Sequence, residues 1–132
     1  MKLFYYFHII GNMETNRAVE ALAALAQETR LAVFRLLVEA GPEGRSAGSI
    51  GDALGLAPAT LSFHLAQMAR AGLVQAKPQG RFVIYSADFQ NMNLLVAFLT
   101  ENCCGGKDCA PAPHRVAMER KPHETHARAR RR

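Results

Sequence analysis

Three cysteines, Cys103, Cys104 and Cys109, fall within seven residues, and the chain has no others. A disulfide framework needs an even number of dispersed cysteines. An odd, clustered set reads instead as a metal or redox site in a reducing compartment, which points to the cytoplasm. Three soft thiolates suit a thiophilic ion. Vicinal cysteines cannot both face one ligand from an ideal helix, but they can at a frayed helix end. Gly105 and Gly106 let the chain fold back to bring Cys109 near. Zinc would need a fourth ligand, which His114 or Asp108 could offer. Cadmium, lead, mercury and copper(I) are also soft enough. The redox alternative is a Cys104–Cys109 or Cys103–Cys109 disulfide, and the plainest alternative is an incidental cysteine-rich tail. The chain is not expected to be an enzyme. No phosphate-cradling glycine loop or nucleophile–base spacing stands out, and a reactive cysteine would want a helix N-terminus, whereas Cys103 and Cys104 follow a helix C-terminus.

The elements that carry this cluster come from apolar periodicity. Val19, Leu22, Ala23 and Ala26 predict a helix over 15–27, and Leu31, Phe34, Leu37 and Val38 a second over 28–40, stopped by Gly41-Pro42. Ile50, Ala53 and Leu54 mark a short helix over 46–54, ended by Gly55. Pro58 opens a helix over 58–71 with a Leu61/Leu65/Met68 stripe, and Gly72 provides its C-terminal cap. Strands are expected at 73–77 and 81–85, with a Pro78-Gln79-Gly80 turn in which Gly80 takes positive φ. Asp88 is the N-cap of a last helix over 88–101. This order defines a mainly α fold with a small β-hairpin, the winged helix–turn–helix. The last helix is apolar nearly all round, so one face needs a cover beyond a domain this small. A homodimer through the first and last helices supplies it; the alternative is a core helix covered within a single chain.

The ends differ from this domain at 13–106. Residues 1–12 read as an N-terminal extension upstream of the natural start, with an added strand or dimer arm as the alternative. Residues 107–132 read as a basic, disordered tail, either an arm touching DNA phosphate or simply solvated. The formal charge of +5 lies wholly in that tail, where eight basic residues face three acidic ones. Residues 1–106 are neutral, so net charge does not make the domain a DNA binder. Local charge is more informative: residues 45–81 carry Arg45, Arg70, Lys77 and Arg81 against Asp52 alone. No apolar run approaches the length needed to span a membrane.

Several strings then fall in order: Glu28-Thr29-Arg30-Leu31, Ala53-Leu54-Gly55-Leu56, Thr60-Leu61-Ser62-Phe63-His64-Leu65, Ala71-Gly72-Leu73-Val74, Gly80-Arg81 and Tyr85. Together, over about residues 15–101, they resemble the ArsR/SmtB family of metal-responsive repressors. The resemblance implies a homodimer that binds double-stranded operator DNA with no cofactor and leaves it when metal binds. Its recognition helix falls on about 58–71. Thr60, Ser62, Phe63 and Gln67 lie off the apolar stripe and can face the major groove. Phe63 either touches a thymine methyl or packs laterally on the domain. His64 matches the family's His before Leu, and reads more as a structural hydrogen-bonder than as a metal ligand. Lys77 and Arg81 flank the wing turn, and Arg45 and Arg70 add backbone contacts. Four such cations per protomer bound the salt slope of a dimer at about −7. The family's usual metal positions carry no ligands here: Ser46 and Gly48 replace a Cys-x-Cys, and no His lies between 65 and 113. Arsenic-responsive members with cysteines after the last helix make Cys103, Cys104 and Cys109 the implied site, with trivalent arsenic or antimony as inducer. A repressor sensing another soft metal or an oxidant, or a winged-helix protein-interaction module, is the alternative.

Overall fold

The computed structural model describes residues 13–107. The N-terminal extension, most of the basic tail, Asp108, Cys109 and His114 lie outside the described residues. The chain divides into two units between Glu101 and Asn102.

The first unit opens with α1 (Thr15–Leu25) and α2 (Glu28–Ala40). α2 starts where Gln27 accepts a hydrogen bond from the Arg30 N–H at 2.8 Å, satisfying a donor that the first helical turn leaves unpaired. After Gly41 come β1 (Arg45–Ser46) and α3 (Ala47–Leu54). Ser46, placed by periodicity inside the short helix, is instead its N-cap and accepts from the Ser49 N–H. Gly55, in the left-handed region at φ 65°, turns the chain into α4 (Pro58–Arg70), which carries proline in its first turn. β2 (Val74–Gln79) and β3 (Phe82–Ala87) follow, then α5 (Phe89–Leu99), capped by Asp88, which accepts from the Asn91 N–H at 3.0 Å.

The expected elements are present, with two differences. The hairpin runs longer than the pattern suggested: Pro78 and Gln79 stay in the ladder opposite Val83 and Phe82, and only Gly80 and Arg81 form the turn. Pro78 is tolerated because β2 is an edge strand of the sheet, whose order is β1-β3-β2. β1 has no counterpart in the sequence pattern. Two residues are too few to show an alternating pattern, yet Arg45 pairs with Tyr85 and Ser46 with Ile84. Gly44 makes this possible: it takes φ 68°, and a Cβ there would lie 2.2 Å from the Tyr85 carbonyl oxygen.

The core gathers Val33 and Leu37 of α2, Ile50 of α3, and Leu61, Leu65 and Met68 of α4. Leu73 and Val74 close it from the hairpin side, and Leu95 from α5. The Leu61/Leu65/Met68 stripe is thus buried as its spacing required, which fixes the outward face of α4.

Candidate nucleic-acid interface and cysteine cluster

α3, the Gly55 turn and α4 form the helix–turn–helix, and β2–β3 form the wing. Thr60, Ser62 and Phe63 are exposed on the N-terminal half of α4, the half that meets base edges when such a helix enters the major groove. Phe63 is 60% exposed, so lateral packing on the domain does not account for it. Its ring stands 5.9 Å from that of His64, edge to face. His64 is half-buried, and its Nδ1 is buried without a hydrogen-bond partner. The structural hydrogen bond expected of it is therefore not made at that atom.

The remaining candidates separate. Lys77 and Arg81 are exposed on the wing. Arg45 is half-buried, and its Nε donates to Ser49 Oγ at 2.9 Å. It lines a groove of about 700 Å³ with Ser46, Gln79, Phe82 and Ile84. Arg70 is exposed but lines the cleft against α1, together with Arg17 and Glu20. Gln67 is half-buried, and its Oε1 accepts from Arg30 Nη1 at 2.7 Å. The sequence placed Gln67 in the groove and gave no sign of this bond, because the two residues are 37 positions apart.

Uncovered apolar side chains also cluster by helix. Val19 and Leu22 of α1, and Val96 and Leu99 of α5, are at least 40% exposed. Leu95 is the buried residue of α5. The last helix is therefore only partly covered by the described residues.

In the second unit, Cys103–Gly106 form a tight turn with left-handed backbone at Cys104 and Gly105. Asn102 and Cys104 both take positive φ, 54° and 56°, a conformation uncommon outside glycine. The turn closes through Gly105 N–H donating to the Asn102 carbonyl at 2.9 Å. The Cys103 and Cys104 sulfurs stand 3.8 Å apart. Cys104 is in a disulfide, whereas Cys103 retains its thiol. Among the described residues no group of three His, Cys, Asp or Glu side chains converges on a metal-sized site, and Cys109, the expected third thiolate, lies outside them. No helix among the described residues is long and apolar enough to cross a membrane.

A buried helix–turn–helix core with an exposed α4 face and a cationic hairpin defines a winged helix–turn–helix DNA-binding domain. The comparisons agree. The helix-turn-helix domain family matches residues 25–75. The transcriptional activator HlyU of Vibrio cholerae is 31% identical over 97 residues, covering 72% of this chain and 87% of that protein. Its solved structure superposes with a TM-score of 0.55, over 70% of this chain and 99% of that one. A homodimeric winged helix–turn–helix DNA-binding domain from Mycobacterium bovis, a possible ArsR-family regulator, shares the fold: TM-score 0.53, 22% identity, 73% of this chain and 89% of that one. A possible transcriptional regulator for arsenical resistance aligns at 26% identity and TM-score 0.54, over 61% of this chain and 80% of that one. The chain belongs to the winged helix–turn–helix transcriptional regulators of the ArsR and HlyU type.

Proposed function

We propose that this regulator is a cytoplasmic homodimeric repressor whose inducer is trivalent arsenic or antimony, held by the thiolates of Cys103, Cys104 and Cys109. The observation that supports the reading is the 3.8 Å separation of the Cys103 and Cys104 sulfurs; the Cys104 disulfide must be reduced before its sulfur can bind an ion. Two thiolates on a tetrahedral ion such as zinc, at about 2.3 Å, stand about 3.8 Å apart; a pyramidal trivalent ion, with narrower angles, draws them somewhat closer, so the pair is near the spacing that either ion needs. The left-handed backbone at Cys104 is what departs from the ideal helix that would hold vicinal side chains apart. A pyramidal trivalent ion is satisfied by three thiolates, so no fourth ligand is needed.

Release follows from where the cluster sits in the chain. It comes directly after α5, whose Val96 and Leu99 are uncovered, as are Val19 and Leu22 of α1. Pairing these helices between two copies buries them. An ion that reorders the end of α5 then changes the spacing of two recognition helices, which must match half-sites about 34–36 Å apart. The operator affinity falls by the ion's differential affinity for the two dimer geometries.

A second reading, an oxidant sensor, has the Cys104 disulfide in its favour. Both readings are tested on reduced protein bound to DNA from upstream of its own gene. Arsenite is expected to weaken binding roughly 150-fold, corresponding to a coupling of about 3 kcal/mol. Changing Cys103, Cys104 and Cys109 together to Ser keeps the operator affinity and removes the response. If the triple variant still releases DNA with arsenite, the site assignment is wrong. If only a thiol oxidant releases the wild type, the sensor reads oxidation.

A further inference from the structure

Arg30 spans three helices. Its backbone N–H starts α2 on Gln27 Oε1 at 2.8 Å. Its Nε donates at 2.6 Å to the carbonyl of Ala24, in the last turn of α1, where helix carbonyls lack partners of their own. Its Nη1 donates at 2.7 Å to Oε1 of Gln67 on α4. Both side-chain bonds leave one planar guanidinium, so the distance between the end of α1 and the third turn of α4 is set by a rigid spacer. Both are charge-assisted, the stronger class of hydrogen bond.

We infer that Arg30 is a positioning residue for operator recognition, tying the recognition helix to the α1–α2 corner, and that Gln67 is its anchor and not a base reader. A glutamine that reads adenine uses both its amide oxygen and its amide nitrogen. Here Arg30 holds the oxygen at 2.7 Å and fixes the orientation of the amide, so turning it onto an adenine would compete with that charge-assisted bond. Thr60, Ser62 and Phe63, exposed one to two turns earlier, are left to meet the bases. Since α1 carries uncovered apolar residues, the same spacer gives the recognition helix a fixed relation to the helix proposed to form the dimer.

The inference rests on the DNA-binding reading, and a double-mutant cycle separates the two. Arg30→Met, Gln67→Met and the double variant are measured for operator affinity, salt slope and preference at each operator base pair. Each single variant is expected to lose about tenfold in affinity, or 1.4 kcal/mol. The double is expected to lose no more than Arg30→Met alone, because Gln67 acts only through its contact with Arg30, whereas Arg30 also holds the Ala24 carbonyl. Salt slope and base preference stay unchanged, since neither side chain touches phosphate or base. Additive losses of about 100-fold overturn the inference, as does a Gln67→Met variant that loses discrimination at one base pair. Gln67→Met is a near-isosteric change at a half-buried surface position, so it carries the test if Arg30→Met unfolds. The cycle is repeated by thermal melting without DNA, where absence of coupling also overturns the spacer. Wild-type protein that binds no upstream fragment sinks the DNA-binding reading instead.

Discussion

The wing sets a salt dependence that can be worked from the positions of its cations. Lys77 and Arg81 are exposed on the hairpin, and Arg45 sits on the neighbouring strand with only its Nε committed, to Ser49. Arg70 is left out because it lines the α1 cleft beside Glu20. Three cations per protomer give six in a dimer. At about −0.9 per phosphate neutralised, log K against log[salt] should then have a slope of about −5, shallower than the −7 bound set by counting every nearby cation. Raising salt from about 50 to 200 mM would weaken operator binding on the order of 10³-fold. Arg81→Ala removes two contacts per dimer and should reduce the slope by about 2, equally for operator and unrelated DNA. Fluorescence anisotropy over five salt concentrations measures both. A wild-type slope of −2 or shallower, or an Arg81→Ala slope equal to wild type, would refute the reasoning.

Two further outcomes are expected. Leu99→Glu places a carboxylate on an uncovered apolar position of α5; if that face pairs two copies, the dimer dissociation constant rises by about 100-fold or more, seen as a monomer by sedimentation velocity at micromolar concentration, with the single-chain fold intact by circular dichroism. Gly44→Ala combines φ 68° with a Cβ 2.2 Å from the Tyr85 carbonyl oxygen, whereas Gly41→Ala, at φ 75°, meets nothing within 4 Å. The first should cost about 3 kcal/mol and lower Tm on the order of 15 °C, the second about 1 kcal/mol; equal losses in a thermal melt would mean that the close approach at β1 does not matter.

What the sequence made legible was what repeats locally. The stripes on α2 and α4 repeat every three to four residues, and Gly55, Gly80 and Asp88 are each required by one turn or cap, so these could be read directly. β1 could not, because its two residues become a strand only when Tyr85 and Ile84 arrive opposite them. The same holds at the interface. Thr60, Ser62 and Phe63 follow from the face left by a buried stripe, but Gln67 lies on that face and is claimed by an arginine from another helix. Local spacing records which residues leave the core. It does not record which of them meet each other on the outside. The vicinal cysteines show the same limit: that they needed a departure from helix geometry was predictable, whereas the left-handed turn at Cys104 had to be seen.

The sheet has one further effect, on assembly. Among the described residues its outer strand β2 has an unpaired edge, the kind of surface on which a second chain can add a strand and seed aggregation. Near the tip that edge carries Lys77 and then Pro78, which has no N–H to offer. A further chain is thereby offered a poorer template along that edge. Strand addition is disfavoured on this edge of the wing, so that if the uncovered faces of α1 and α5 pair two copies, as proposed, the sheet edge does not compete with that pairing.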